Sequence, residues 1–244
     1  MAGIAVSGFN TINELAAAAP SQNNTDSLVF LFQGDSITDG NRGRNTDPNH
    51  IMGHGYAFSI ASRMGEHFAE KQLVFYNRGI SGNRITDLTQ RWQKDTIAIK
   101  PDILSVLIGI NDIDAAIRNN MVAGIDSFEE DYRKLLTQTK EQLPQCTLVL
   151  CEPFILPVGR VKENLESYSN AIKKIQESVL RLSTEFKTIF VPLQQVFENA
   201  VKRAPANYWI WDGIHPTCAG HELITKTWLK QVSSKFRGLK NIPV

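Results

Sequence analysis

Cysteine is scarce in this 244-residue chain: Cys146, Cys151 and Cys218 are the whole set, an odd number without CxxC spacing. A disulfide framework is not expected at that size and count. No partner pattern accompanies any of the three thiols that would make it a nucleophile, and Cys151 sits in an apolar run that reads as a buried strand. Long hydrophobic runs are also missing. None approaches the roughly 20 residues a spanning helix requires, so no membrane span is expected. Nor is there an excess of charge of one sign. The formal net charge is +1 and no basic run is interleaved with aromatics, which argues against a nucleic-acid partner. Internal repeats, low-complexity tracts and interior linkers are absent too.

What is present is an ordinary globular composition, 42% hydrophobic and 21% charged, in a chain long enough for one well-buried domain. The start differs from the rest. Met1 to Pro20 has no Lys or Arg and ends in Ala16-Ala17-Ala18-Ala19 before a polar stretch. An export signal has a basic start, an apolar centre and a small-residue cleavage site. Residues 1–26 are therefore read either as the remnant of such a signal or as an arm docked on a single domain at 27–244. The first reading implies a periplasmic or secreted protein, the second leaves a cytoplasmic one open.

Apolar runs of strand length alternate with helical segments. The runs are 28–32, 73–76, 103–108, 147–151 and 188–191, each with β-branched or aromatic residues and little alternation, as in a parallel sheet covered on both faces. Helices are expected at 56–70, 85–99, 127–142, 162–186 and 217–235, with a short segment at 192–203. In the fourth, Leu165, Tyr168, Ile172, Ile175, Val179 and Leu182 make one apolar stripe. The alternation implies a three-layer α/β domain with right-handed crossovers. Ligands in such sheets bind beyond the carboxyl ends of the strands.

The loops at that edge carry the least ordinary residues. Gly34-Asp35-Ser36-Ile37-Thr38-Asp39-Gly40 follows the first run, and a serine there can expose its hydroxyl above the sheet. Taken alone, Asp35 and Ser36 also fit a helix cap. Asn77-Arg78-Gly79-Ile80-Ser81-Gly82-Asn83 follows the second run, with glycines that let the backbone aim N–H groups at a ligand or simply make a turn. Gly109-Ile110-Asn111-Asp112 follows the third, where Asn111 is a side-chain donor or an Asx-turn residue. Trp211-Asp212-Gly213-Ile214-His215-Pro216 precedes the last helix. A serine nucleophile needs a base, and the base needs a carboxylate to hold its tautomer. Asp212 and His215, three apart in a loop held by Gly and Pro, can supply both.

Turns and caps do not readily explain the four loops together. The blocks GDSITDG, NRGISGN, GIND and DGIHP resemble those of the SGNH (GDSL) hydrolases, in order, over about residues 28–229. The resemblance implies a flavodoxin-like fold with a five-stranded parallel sheet and a serine esterase that uses no metal or other cofactor. It implies Ser36 as nucleophile, His215 as general base and Asp212 as its orienting acid. The oxyanion hole would be the backbone N–H groups of Ser36 and Gly82 and the side-chain amide of Asn111. Asp35 competes as a carboxylate and is read as bracing the loop.

Within that family the chain looks most like carbohydrate O-acetylesterases, acetylxylan esterases in particular. The softer motifs are Gly53-His54-Gly55-Tyr56, Gly79 to Asn83, Arg91-Trp92, and Trp211-Asp212 through Gly220-His221. One departure is Ile113-Asp114-Ala115, where that group commonly has an aromatic and a basic residue; these positions are expected to line the pocket near Asn111. Substrate-binding candidates are Asp35, His54, Trp92 and Trp211, with Tyr208 and Trp209 beside them and core packing as the alternative for the tryptophans. His50 and His54 are four apart, but Pro48 and Gly53 argue against the helix that would pair them on a metal. The expected substrate is an acylated carbohydrate or other small ester, and a homo-oligomer is left open. Two alternatives stand beside this reading. One is a lysophospholipase or acyl-thioesterase with the same triad, which lacks an evident amphipathic lid here. The other is a non-catalytic sugar-binding domain, which would not need a nucleophile with its base.

Overall fold

The computed structural model describes residues 27–119 and 123–235. The expectations for residues 1–26, and for 236–244 as part of the domain, lie outside the described residues.

All five apolar runs form strands: β1 Val29–Gly34, β2 Val74–Asn77, β3 Ile103–Leu107, β4 Thr147–Cys151 and β5 Ile189–Val191. They make one sheet in the order β2-β1-β3-β4-β5, every neighbouring pair parallel. This is the flavodoxin-like α/β order, in which the direction of winding reverses between β1 and β3 and opens a crevice at their carboxyl ends. Every residue of β3 is buried, as is β1 from Phe30 onward, which explains their lack of alternation.

The helices are α1 Ser36–Asp39, α2 Tyr56–His67, α3 Ile85–Asp95, α4 Ile110–Asn119, α5 Ala123–Gln142, α6 Gly159–Glu163, α7 Leu165–Glu185, α8 Gln194–Val201, α9 Ala206–Trp209 and α10 Cys218–Lys235. α2 packs on α10, while α3, α5 and α7 pack as a second group, the two outer layers of the expected three. Among the described residues no helix is long and apolar enough to cross a membrane.

Several boundaries differ from expectation. The helices expected to reach 70 and 99 stop at His67 and Asp95, and a 3-10 turn closing on a left-handed residue, Gln72 or Lys100, leads on towards the next strand. The helix expected over 162–186 is broken at Asn164 into α6 and α7. Leu165, the first member of the expected stripe, is exposed on the first turn of α7, whereas the other five are buried. The loop expected at Gly109–Asp112 is largely helix. α4 starts at Ile110 because Ile110, Ile113 and Ala116 present one buried stripe at three-residue steps.

The interior joins the layers. Trp228 of α10 lies 6.5 and 5.7 Å, ring to ring, from Phe30 and Phe32, and its Nε1–H donates to Ser105 Oγ of β3 at 2.9 Å. Trp92 is 1% exposed and donates to Thr139 Oγ1 at 3.0 Å, so it is a core residue of the α3–α5 contact and not a substrate contact. Cys146 and Cys151 are buried free thiols, and burial pushes both up to about 12. Trp209 is likewise buried, its Nε1–H on Ala204 O at 3.2 Å, and belongs to packing.

Candidate active site

β1 ends at the switch point in Gly34, whose φ is +156°. A Cβ there would stand 2.2 Å from Leu107 O and 2.4 Å from Thr38 Oγ1, so only glycine lets the chain leave the sheet this close to β3. Asp35 then caps α1: its Oδ1 accepts the Ile37 N–H at 3.0 Å. This sets Ser36 as the first helical residue, above the sheet edge.

Ser36 Oγ lies 2.8 Å from His215 Nε2, and His215 Nδ1 lies 2.8 Å from Asp212 Oδ2. An ionised carboxylate only accepts, so Nδ1 carries the ring hydrogen and Nε2 is free to accept from the serine. The other oxygen, Asp212 Oδ1, accepts the backbone N–H groups of Ile214 at 3.0 Å and His215 at 2.7 Å. Burial acts to raise the Asp212 carboxyl, but the side-chain and backbone bonds from His215, with that from Ile214, outweigh it. They hold it well below the usual carboxylate range. The loop is closed by an Ile210–Pro216 bridge and by Trp211 N–H on His215 O at 3.1 Å.

The loop after β2 lies beside this group. Asp39, at the end of α1, accepts Ser81 N–H at 2.9 Å and Ser81 Oγ–H at 3.1 Å on Oδ2, and Arg44 grips both its oxygens at 3.0 and 2.7 Å. Burial opposes its charge, yet Arg44 and the N–H groups of Ser81 and Arg42 lower its pKa. Asn77 ties the same loop down by donating to Thr38 O at 2.7 Å and Met52 O at 3.0 Å. Gly82 has φ +83° with open space where a Cβ would point. Asn111, in the first turn of α4, donates to Asn83 O at 3.0 Å. Among the described residues neither Ser36 N–H nor Gly82 N–H is used in a hydrogen bond.

A pocket of 220 Å³ opens over Ser36 and His215, with Trp211, His54, Asn41 and His221 on its lining. Trp211 is 63% exposed and stacks on the His215 ring at 6.0 Å and 21°. His54 and Trp211 are thus on the wall of that pocket. Asp35 is not. At 1% exposure its cap is its role, its Oδ2 is buried without a partner, and burial lifts its pKa to about 7 against the lowering effect of the Ile37 bond and of His215. Asp112 is a second buried carboxyl beneath the site, also raised to about 7 by burial and relieved in part by the Ile85 N–H.

The sequence reading missed Arg160. It sits on α6 beyond β4, where one guanidinium reaches Asp212 Oδ2 at 3.0 Å and Asp114 Oδ2 at 2.9 Å and lies 3.5 Å from His215 Nδ1. Tyr168 OH closes on the other oxygen of Asp114. The Asp114 side chain is therefore turned to Arg160 and Tyr168 and does not line the pocket. The sheet-edge rule that singled out the first three loops applies equally to the one after β4, and following it there would have found this residue.

Residues 32–223 match the GDSL-like Lipase/Acylhydrolase family. A curated acetylxylan esterase of Geobacillus stearothermophilus is 30% identical over 216 residues, 85% of this chain and 94% of that one. Its crystal structure superposes with a TM-score of 0.74 at 29% identity, covering 86% and 96% of the two chains. A crystal structure assigned as a GDSL-like lipase of Parabacteroides merdae reaches a TM-score of 0.82 at 42% identity, covering 89% and 99%. Three catalytic variants of the Geobacillus esterase replace a serine, an aspartate and a histidine by alanine. The aspartate there lies three positions before the histidine, and the serine precedes it by the same interval that separates Ser36 from Asp212.

Proposed function

Since the chain belongs to the GDSL-like lipase/acylhydrolase family and is a carboxylic ester hydrolase, we propose that it removes small acyl groups, acetyl above all, from carbohydrate hydroxyls through a Ser36–His215–Asp212 triad. The observation that carries this is the chain of two 2.8 Å contacts, Ser36 Oγ to His215 Nε2 and His215 Nδ1 to Asp212 Oδ2.

Ser36 Oγ attacks the ester carbon while its proton passes to His215 Nε2. The carbonyl oxygen becomes an oxyanion held by the N–H groups of Ser36 and Gly82 and by Asn111. Collapse breaks the bond to the sugar oxygen, which takes the proton back from Nε2. Water then enters by the same route, its proton going to Nε2 as its oxygen attacks the acyl carbon, and Ser36 leaves with the proton. Asp212 stabilises the imidazolium at both transition states. Arg160 is a positioning residue: it fixes Asp212 Oδ2, the oxygen that receives His215 Nδ1–H.

Support for a sugar ester comes from the acetylxylan esterase relative and from the exposed Trp211 face over the pocket. The test is a panel of acetyl, butyryl and octanoyl esters with acetylated xylan, run on wild type and Ser36→Ala. Acetyl esters are expected to turn over fastest, xylan to release acetate, and Ser36→Ala to lose several orders of magnitude in kcat with an unchanged melting temperature. A tenth of wild-type kcat in that variant would overturn the nucleophile. Faster octanoyl turnover would overturn the acyl reading.

A further inference from the structure

The pocket over Ser36 is lined by the nucleophile and its base but by neither Gly82 nor Asn111. This sorts the two halves of an ester. The carbonyl oxygen has to face the oxyanion donors, whereas the leaving oxygen has to face His215 Nε2, which returns its proton. The alcohol half therefore lies on the side of Trp211, His54 and His221.

His54 and His221 also line a second hollow, of 340 Å³, together with Phe58, Ser59, Arg63 and Glu222. The two hollows lie side by side, with these imidazoles on the lining of both. Tyr56, Ala57 and Ile60 of α2 are buried, but Phe58 leaves the core and is 46% exposed on this lining. Arg63 and Glu222 pair beside it, and Ser59 Oγ–H reaches Glu222 Oε2 at 3.4 Å. His221 Nδ1 accepts the Tyr56 N–H at 3.1 Å, which places the ring hydrogen on Nε2. No hydrogen bond among the described residues engages that Nε2–H. Burial first, and then the neighbouring His54 and His221's other neighbour His215, lower the pKa of this ring to about 4, so it stays a neutral donor at working pH.

An aromatic face with a fixed neutral donor and a few polar groups suits a ring with one apolar C–H face and an equatorial belt of hydroxyls. We propose that the second hollow is a subsite for a further sugar ring on the alcohol side, with Phe58 as its stacking face and His221 Nε2–H as its donor. The chain thus prefers acylated oligosaccharides to acylated monosaccharides. The inference rests on the carbohydrate reading above and adds to it a length preference located in α2 and α10.

The experiment compares kcat/KM on acetylated xylotetraose, acetylated methyl xyloside and 4-nitrophenyl acetate for wild type, Phe58→Ala and Phe58→Trp. Wild type is expected to favour the tetraose over the monosaccharide, Phe58→Ala to lose roughly three- to tenfold of that preference, and Phe58→Trp to keep it. Each preference is a ratio within one variant, so a general loss of folded protein cancels. Equal rates on the two sugars in wild type, or a preference untouched in Phe58→Ala, would overturn the subsite while leaving the carbohydrate reading standing. Hydrolysis of 4-nitrophenyl acetate with neither sugar ester turned over would overturn both.

Discussion

Arg160 Nη2 stands 3.0 Å from Asp212 Oδ2, the same oxygen that receives His215 Nδ1–H at 2.8 Å, so one carboxylate oxygen serves two donors. The guanidinium is itself anchored by Asp114, which Tyr168 and Arg118 also face.

Arg160→Ala removes a cation from beside the forming imidazolium and frees one side of Asp212. Plateau kcat is expected to fall by about tenfold as Asp212 loosens. Arg160→Lys should restore little of that kcat, because an ammonium cannot bridge Asp114 and Asp212 as a planar fork does. A lower melting temperature with an unchanged kcat would make Arg160 structural only.

Asn111→Ala removes a donor whose value is greatest once the oxyanion exists. The expected loss is on the order of 10²–10³-fold in kcat with little change in KM. Steady-state kinetics on 4-nitrophenyl acetate checks it. A rise in KM alone would recast Asn111 as a ground-state contact.

Asp39→Ala tests whether the loop carrying Gly82 needs its brace. The variant removes the acceptor of the Ser81 N–H and Oγ–H, while the Arg42 N–H keeps its bond to the backbone carbonyl of residue 39. kcat is expected to drop with KM nearly constant, because the Gly82 N–H loses its place. Unchanged kcat in a destabilised protein would confine Asp39 to folding.

Asp35 gives a pH dependence of stability. Its carboxyl titrates near 3.8 when unfolded and near about 7 when folded. Between those values the folded chain holds a proton that the unfolded chain has lost, so stability falls as pH rises from about 4 to about 7 and stays lower above. Asp35→Asn keeps an acceptor for the Ile37 N–H and removes this penalty. Relative to wild type, its melting temperature should gain by several degrees at pH 8 and not at pH 4. Asp112 slopes the same way, and less steeply in the variant, because the Asp35 charge is one of the causes that raise it. A melting difference that does not change with pH would mean that Asp35 is not lifted by burial.

The strands and most of the candidate site were legible because each depends on a short stretch of chain. β3 and β4 had to be apolar without alternation, whichever partners they met, because both faces of a central parallel strand are covered. Ser36, Asn111 and the Asp212–His215 pair, each ambiguous alone, stood out because four ordered blocks resemble those of one family, and the 212–215 spacing keeps acid and base within one short segment.

Tertiary structure alone decided which polar groups face the site and which serve the fold. Asp35 and Trp92 carry the same chemistry as Asp212 and Trp211, yet packing buries the first pair and exposes the Trp211 face. Asp114 read as a pocket residue until α6 and α7 brought Arg160 and Tyr168 onto it from 46 and 54 positions away. The lining shared by the two hollows likewise depends on α10 laying His221 against the start of α2, so that the Tyr56 N–H sets its tautomer. Periodicity and spacing encode what lies within a few residues. The partner of a charge, the depth of a carboxyl and the far wall of a cleft are set by contacts between distant segments, and no local pattern carries them.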